Sequence, residues 1–361
     1  MKKIFLFLFF LSTLSYAISQ TIDPGIMRAM ETAIEDSTYP NVHSVLIARN
    51  NKIIYEKYWA GSDKRGDVVL GIVPHAPDSL HSTQSISKSV VSACVGIAIA
   101  QGKLKSVNEK ALNFFPEFKT QDTGLKAMIT IKDLLTMTAG LQWDEGDYND
   151  PANSEHQMNI AENPAEYILS RPMTDLPGKK FSYNGGATQL LAIIVERVTG
   201  KPLEAFAKEY LFTPLGISVF KWTKTDNSDM ADAASGLYLS SRDMIKFGLL
   251  YMNDGKNELK QIIPANWVSQ SITPYVVADD GSDPMFGKSE YGFQWWMFND
   301  SIMGKPVPLA ACVGNGGQRI FIDKANHLVV VFTGGNYRMP ERYLIPYNIL
   351  KKFIYPALFK E

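Results

Sequence analysis

The chain has 361 residues, of which 45% are hydrophobic and 20% are charged, and its formal net charge is −1. This composition is typical of a globular protein, and the length is sufficient for one large domain or two coupled lobes. Because the net charge is close to zero, it gives no reason to expect nucleic acid or an anionic membrane as a partner.

The first residues have the pattern of a secretory signal. Lys2 and Lys3 precede an apolar run over 4–11, and small residues follow at 15–19. This pattern predicts a signal peptide over 1–19 and a mature domain over 20–361. The apolar run is too short to span a bilayer comfortably, so we expect a periplasmic or secreted protein with no stable membrane span after cleavage.

The cysteines and histidines do not predict a metal site. Cys94 and Cys312 lie in apolar stretches. They could pair in an exported protein, but small buried residues are the favoured interpretation. The histidines show no paired ligand spacing, and two cysteines cannot make a zinc site. The histidines are His43, His75, His81, His156 and His327. We therefore expect no metal and no cofactor.

The first part of the chain predicts one helix and one β-hairpin. Residues 21–37 have the periodicity of an amphipathic helix. Apolar runs at 42–48 and 53–59 flank a polar turn, which is the pattern of a hairpin. Residues 60–81 contain Gly, Pro and Asp and are expected to form a loop.

A buried helix is predicted directly after this loop. Small and aliphatic residues fill 90–100, and Gly102 follows the last turn. Ser85 falls in or near the first turn, and Lys88 lies one turn further on, roughly on the same face. The helix dipole and burial both disfavour a charged lysine there, so we expect a lowered pKa for Lys88. Lys88 could then activate Ser85 as a nucleophile; the alternative is a capped helix start whose lysine reaches solvent.

The middle of the chain is mainly helical by its periodicity. Helices are expected at about 129–138, 164–170, 188–200, 202–211 and 240–253, with a short one from 263. The polar and acidic segment 142–165 is expected to be a long connection, and loops of this length are usually functional or mobile.

Strands return near the end of the chain. Residues 302–313 are expected to form one strand, 317–322 and 328–333 two more, and 343–359 a closing helix. Strands at both ends with helices between them predict an α/β (α+β) fold, in which both chain ends build one antiparallel sheet flanked by helices and a mainly helical lobe is inserted.

The lobe boundaries follow from this order of elements. We place the sheet lobe at about 20–81 and 290–361, and the helical lobe at about 104–289.

Two further stretches could join Ser85 and Lys88 in one site. Tyr183 lies in a Gly-rich turn before a helix, where a phenol can project into a cleft; a half-buried tyrosine with its hydroxyl in water is the alternative. Residues 314–318 (Gly-Asn-Gly-Gly-Gln) open a strand, and their glycines would let a substrate approach backbone N–H groups. A simple turn is the alternative for this segment.

Taken in order, these stretches resemble the motifs of the serine β-lactamase and penicillin-binding-protein superfamily. The similarity is greater to its class C-like members, which include esterases, D-aminopeptidases, D,D-carboxypeptidases and 6-aminohexanoate-dimer hydrolases. Segments 134–141, 177–183 and 236–243 also resemble that family. The resemblance covers about residues 40–335 and implies the β-lactamase/transpeptidase-like fold.

By this resemblance, Ser85 is the nucleophile of an S-x-x-K motif and Lys88 is its partner. Tyr183 matches the Tyr of Y-x-N and would move protons between Ser85 and the leaving group. The backbone N–H groups of Ser85 and Gln318 would form the oxyanion hole. The residues that match the strand motif would bind substrate: Asn315, Gly316 and Gly317.

Two positions depart from the family pattern. Gly185 occupies the Asn position of Y-x-N, which removes an amide that would hold a substrate carboxamide; the neighbouring Asn184 could replace it. Asn315 stands in place of a Lys or His, and a neutral amide cannot attract a substrate carboxylate. Both departures argue against an efficient β-lactamase or D,D-peptidase.

The stretch 133–170 contains eight acidic residues and no Lys or Arg. It precedes Tyr183, so we expect it to line the mouth of the cleft. One interpretation is a solvated acidic loop. The sharper hypothesis is that Asp144 or Glu145, held by Trp143, binds an ammonium group of the substrate.

These observations predict an exported serine hydrolase that cleaves an ester or amide through an acyl-enzyme on Ser85. The expected substrate is a small molecule or a short peptide, with an amine if the acidic stretch contacts it. The alternatives are a β-lactamase or D,D-carboxypeptidase acting on cell-wall-type substrates, and a catalytically silent homologue that binds a cell-wall ligand.

Overall fold

The fold is built around one large antiparallel sheet whose strands come from both parts of the chain. A computed structural model of the protein describes residues 22–66, 68–121, 124–278, 289–339 and 342–359. The predicted signal peptide at 1–19 lies outside these residues. The strands are β1 Val42–Arg49, β2 Lys52–Tyr58, β3 Gly61–Arg65, β4 Val68–Val73, β5 Leu80–Ser82, β6 Lys221–Trp222, β7 Leu237–Ser240, β8 Lys256–Asn257, β9 Lys260–Gln261, β10 Val276–Val277, β11 Glu290–Tyr291, β12 Trp296–Ile302, β13 Lys305–Gly314, β14 Gln318–Asp323 and β15 Leu328–Gly334.

Among the residues that the structure describes, one α-helix precedes β1, two follow β15, and the others lie between β5 and β10. They are α1 Pro24–Glu35, α2 Ile86–Ala100, α3 Ile131–Leu135, α4 Ser154–Asn159, α5 Pro164–Ser170, α6 Gly185–Thr199, α7 Leu203–Ala207, α8 Ser241–Met252, α9 Ala265–Ser271, α10 Ile345–Ile349 and α11 Tyr355–Phe359.

The large sheet has eight strands in the order β10-β11-β12-β13-β14-β15-β1-β2, so β1 from the start of the chain pairs with β15 from its end. Helices cover both faces. In β1, Leu46 faces α2 and the helical lobe, whereas Val45 and Ile47 face a second core formed with α1 and the C-terminal helices. Successive side chains of a strand point to opposite faces, which is why alternate residues enter different cores. The predicted sheet with an inserted helical lobe is confirmed.

Helix α2 is central to the helical lobe, as its composition predicts. Every residue from Ile86 to Ala98 is buried. Helix α6 packs beside α2, begins at Gly185 after the Asn184 cap and ends at Gly200 with a left-handed φ of 69°. A C-terminal glycine suits that conformation because it has no Cβ to clash. Their packing brings Lys88 of α2 close to Tyr183, which lies just before α6.

Several predicted boundaries are wrong. Residues 60–81 are not a loop, because β3 and β4 pair as a hairpin and β5 joins β7. The sequence does not predict the β3–β4 hairpin because its side chains are little buried: Val69 and Ile72 are each 78% exposed. The strand expected at 302–313 is β13 for most of its length, but β13 begins only at Lys305, because 303–304 form the turn after Ile302, the last residue of β12. The helix expected to reach 138 ends at Leu135, since Met137 has a φ of 57°.

Cys94 and Cys312 are both buried and free, so the interpretation as small buried residues is confirmed. Within the ranges that the structure describes, none of the helices combines the length and the apolar character needed to cross a membrane.

Candidate active site

The turn that presents Ser85 is locally strained. Gln84, just before it, has a left-handed φ of 52°, and a non-glycine residue pays a conformational cost in that region. Ser85 directly precedes α2, is only partly buried, and makes no capping hydrogen bond with its side chain. Its hydroxyl is therefore available to another partner.

That partner is Lys88. Lys88 is 1% exposed, and its Nζ donates hydrogen bonds to Ser85 Oγ at 3.1 Å and to the carbonyl oxygen of Ala234 at 3.1 Å. The same Nζ lies 5.0 Å from the ring centre of Tyr183. The structure thus brings together the three residues that the sequence places in one site, and it removes the alternative in which Lys88 reaches solvent.

The carbonyl that holds Lys88 belongs to a turn that the sequence analysis did not single out. Asp232 fixes this turn by accepting hydrogen bonds from the backbone N–H groups of Ala234 and Ser235 and from the Ser235 hydroxyl. Gln189, on α6, accepts from the N–H of Ala233 and donates to the carbonyl of Ala231. An acidic residue before small residues in a turn is the signal that could have identified it.

Glu145 occupies the space left by the glycine at the Asn position of Y-x-N. Its carboxylate accepts hydrogen bonds from Trp143 Nε1, from the N–H of Gly185 and, at 3.0 Å, from the Tyr148 hydroxyl. A Cβ added to Gly185 would lie 2.8 Å from Glu145 Oε1, and one added to Gly186 would lie 2.6 Å from the Trp143 ring. Because both positions are glycine, the Glu145 carboxylate and the Trp143 ring have room to pack at the site.

Three buried carboxyl groups surround the lysine. Burial, followed by the charge of Glu155, raises the pKa of Glu145 to about 7. Burial also raises the pKa of Glu155, with Asp232 adding to the effect, and it raises the pKa of Asp232. Lys88 opposes each of these shifts because a nearby cation favours the ionised carboxylate.

The expectation of a lowered pKa for Lys88 is wrong. Burial alone would lower it, but the ionisable neighbours Tyr183, Glu155 and Glu145 outweigh burial and raise the pKa above its usual value. Sequence proximity could not show these groups, because they come from segments far along the chain. Burial likewise raises the pKa of Tyr183, against the influence of Lys88.

The turn between β13 and β14 closes the other side of the Ser85 turn. A Cβ added to Gly314 would lie 2.3 Å from the carbonyl oxygen of Thr83, so only glycine allows this approach. Gln318, at the start of β14, pairs with Gly314. Its side-chain amide donates to the carbonyl of Gly334. The predicted oxyanion donor Gln318 thus lies on the strand next to the nucleophile turn. Gly316 and Gly317 have φ values of 88° and 97°.

A cavity of about 340 Å³ adjoins this site. Its lining includes the acidic residues Glu155 and Asp232 and the cationic residues Arg338 and Lys64. Asn315 also lines it. The Oε1 atom of Glu155 is buried and has no hydrogen-bond partner. Glu155 and Arg338 are therefore cavity residues that the sequence analysis missed.

The remaining predicted contact residues are engaged within the protein. Asn184 is buried, and its Oδ1 caps α6 by accepting from the N–H of Ala187 at 2.9 Å. Asn315 Oδ1 accepts from the N–H of Arg338 at 3.0 Å. Trp143 does hold Glu145, but that carboxylate is surrounded by protein donors. Asp144 is exposed, and its Oδ1 accepts from the N–H of Gly146.

The spacing of the histidines along the sequence does not predict their arrangement in the fold. Three of the five, His43, His75 and His81, lie together with Asp63, and their ligand atoms are all within 4.8 Å of one another. These residues come from three separate strands and one connecting segment, so no regular spacing in sequence could reveal them.

Comparison with known proteins agrees with the fold. The sequence model of the Beta-lactamase family matches residues 33–351. The chain is 24% identical over 302 residues to the 6-aminohexanoate-dimer hydrolase of Paenarthrobacter ureafaciens, covering 79% of this chain and 70% of that protein. It is 26% identical over 181 residues to the esterase EstB of Burkholderia gladioli, covering 48% of this chain and 44% of the esterase.

A solved structure has the same fold. The class C β-lactamase of Rhodobacter sphaeroides superposes with a TM-score of 0.63 and 17% sequence identity, over 90% of this chain and 98% of that one. The chain therefore belongs to the Beta-lactamase family and is a serine hydrolase of that fold.

Proposed function

We propose that this protein hydrolyses an ester or amide through an acyl-enzyme on Ser85. The observation that supports this most is the 3.1 Å hydrogen bond from the buried Lys88 Nζ to Ser85 Oγ, beside Tyr183. A serine hydroxyl becomes a nucleophile only when a neighbouring group takes its proton.

Because the pKa of Lys88 is raised, we assign Lys88 and Tyr183 different roles. Lys88 stays an ammonium and stabilises negative charge on Ser85 Oγ and on the Tyr183 oxygen. Tyr183, in its phenolate form, takes the Ser85 proton as Oγ attacks the carbonyl, and then gives it to the leaving alcohol or amine. Water attacks the acyl-enzyme in the second half, with Tyr183 again accepting a proton and returning it to Ser85.

An activity-based probe tests the covalent step. A fluorophosphonate should label the mature protein once, at Ser85, and Ser85→Ala should abolish labelling. Ser82→Ala is a matched control, since Ser82 also precedes α2 and lies on β5. Labelling that persists in Ser85→Ala would show that the nucleophile is another residue.

We further propose that the substrate carries an amine that faces Glu155. Its Oε1 is buried on the cavity wall without a partner, and an unpaired buried acceptor costs about 1–3 kcal/mol. An ammonium group would remove that cost. The name of the 6-aminohexanoate-dimer hydrolase also refers to an amine-bearing substrate.

Paired substrates test this preference. A free-amine ester should be hydrolysed faster than its N-acetylated form at low salt, and Glu155→Gln should reduce the ratio of their kcat/KM values by about tenfold or more. Asp144→Asn is the control from the same acidic stretch, because its side chain is exposed, and it should leave the ratio unchanged. Equal rates for the two substrates with the wild type would contradict the amine hypothesis without affecting the acyl-enzyme.

A second candidate function follows from Arg338. The sequence argument against carboxylate substrates was that Asn315 is neutral. However, Arg338 lines the cavity, and Asn315 Oδ1 accepts a hydrogen bond from its backbone N–H. A guanidinium can bind the carboxylate of a β-lactam or of a D,D-peptide. If this is the substrate class, Arg338→Gln should raise KM for carboxylate substrates at least tenfold and leave their methyl esters unaffected.

The cellular location is also a proposal. The charged start, apolar run and small residues over 1–19 support export and a periplasmic or secreted enzyme. Fractionation of cells that express the full chain, with N-terminal sequencing of the product, would test it; an unprocessed N-terminus in the cytoplasmic fraction would contradict it.

A further inference from the structure

Three histidines and an aspartate form a compact cluster behind the wall of the cavity. His43 lies on β1, Asp63 on β3, His81 on β5, and His75 on the segment between β4 and β5. One ligand atom of each lies within 4.8 Å of those of the others. The rings of His43 and His75 stack with centroids 3.9 Å apart.

The histidine nitrogens at this cluster lack partners. His43 Nδ1, His75 Nε2 and His81 Nε2 are buried without a hydrogen bond, although His43 and His81 are 0% and 1% exposed. Buried polar atoms normally have a partner, and each one left without it destabilises the fold. Three such atoms, on residues that each bring a ligand atom within 4.8 Å of the others, indicate a missing ligand that accepts lone pairs.

The opposite nitrogens are arranged to leave those lone pairs free. His43 Nε2 donates to the carbonyl of Ser62 at 3.1 Å, and His81 Nδ1 donates to the carbonyl of Ser79 at 3.2 Å. These bonds place the proton on His43 Nε2 and on His81 Nδ1, so the lone pairs lie on the unpartnered His43 Nδ1 and His81 Nε2. Metal-binding histidines are typically fixed in this way by a second hydrogen bond.

The aspartate is oriented as well. Asp63 Oδ1 accepts from the N–H of Lys64 at 2.8 Å and from the Tyr337 hydroxyl at 3.3 Å. Glycines make the room for this packing: a Cβ on Gly61 would lie 2.6 Å from the His43 ring, and one on Gly335 would lie 2.8 Å from it.

We propose that His43, Asp63, His75 and His81 bind a zinc ion that fastens the β3–β4 hairpin and β5 to β1. Three imidazoles and a carboxylate suit zinc, and four protein ligands are typical of a structural rather than a catalytic zinc site. Zinc ligands at about 2.1 Å from the ion lie closer together than 4.8 Å, so binding would draw the four side chains inward.

The location of the ion gives it a role in the active site. β5 leads directly into the Ser85 turn, and Tyr337, which contacts Asp63, lines the substrate cavity with Lys64. Zinc would hold the strand before the nucleophile and one wall of the cavity. This inference does not depend on the reaction that Ser85 performs.

A zinc titration of the full chain is the direct test. Protein treated with chelator and dialysed should bind about one Zn²⁺ per chain, with a rise in Tm, and Ca²⁺ should produce neither effect because it prefers oxygen ligands. Co²⁺ in place of zinc should give the visible absorption of a four-coordinate site.

Variants separate this site from adventitious binding. His75→Gln, which removes the half-buried ligand, should weaken zinc binding at least about tenfold, whereas the exposed His327→Gln should not change it. If His75→Gln does not fold, Asp63→Asn replaces it with the same expectation. A folded wild type without stoichiometric zinc binding, or equal affinity in the His75 or Asp63 variant and in His327→Gln, would overturn the proposal.

Discussion

Glu145 makes the stability of this protein depend on pH in an unusual direction. It is buried, and its pKa is raised from the usual 4.5 to about 7. The folded state therefore binds a proton more tightly than the unfolded chain between these two values. Stability from this group is greatest below about pH 4.5 and falls as the pH rises through 7.

The expected magnitude follows from the two pKa values. A change of one pKa unit corresponds to about 1.4 kcal/mol, so the shift of Glu145 corresponds to about 3 kcal/mol. Replacing it by Gln keeps an acceptor for Trp143 and the Gly185 N–H but removes the ionisation. The unfolding free energy of Glu145→Gln minus that of the wild type should therefore be about 2–4 kcal/mol higher at pH 8 than at pH 5.

Urea denaturation of the wild type and the variant at pH 5 and pH 8 measures this difference. The matched control is Glu162→Gln, which changes an exposed glutamate of the same acidic stretch and should show the same effect at both pH values. If Glu145→Gln changed stability equally at pH 5 and pH 8, the buried carboxyl would not be the group that titrates.

Three further predictions test the site and its scaffold. Tyr183→Phe should lower kcat/KM at least about 100-fold, and the wild-type kcat/KM should rise about tenfold per pH unit from pH 7 to 9 because the phenolate fraction rises by that factor; a flat profile would exclude Tyr183 as the base. Asn184→Ala should cost about 1 kcal/mol of stability, measured in urea, through loss of the α6 cap, and a large rise in KM would instead show that Asn184 binds substrate. Gly248→Ala should destabilise by about 1 kcal/mol or more, because its Cβ would lie 2.6 Å from Val329 and 2.8 Å from Ile320; an unchanged urea midpoint would show that α8 can move away from the sheet.

The local pattern of apolar and polar residues predicted the helices and strands that bury many side chains. Helix α2 was predictable because small and aliphatic residues fill 90–100, and in the structure every residue of Ile86–Ala98 is buried, Lys88 included. The β1–β2 hairpin followed from two apolar runs and a polar turn. The exposed β3–β4 hairpin was missed since it buries too little side chain to leave a periodic signal.

Motif order likewise indicated the candidate site residues. Ser85 and Lys88 are one helical turn apart, so their contact is a local property of the chain. Tyr183 was a candidate from its Gly-rich turn before a helix, but only the family resemblance placed it with Ser85, because the sequence does not show that the start of α6 lies near Lys88.

Only the tertiary structure determined the environment of Lys88 and the proximity of the three histidines. A pKa depends on charges and burial within a few ångströms, and the groups that raise the pKa of Lys88 come from two distant parts of the chain, the acidic stretch 133–170 and Tyr183. Glu145 reaches Lys88 because Gly185 leaves it space, and His43, Asp63, His75 and His81 meet because β1, β3 and β5 lie near one another. The sequence on its own specifies which groups are present, but their electrostatics and ligand geometry arise from contacts between segments that are far apart along the chain.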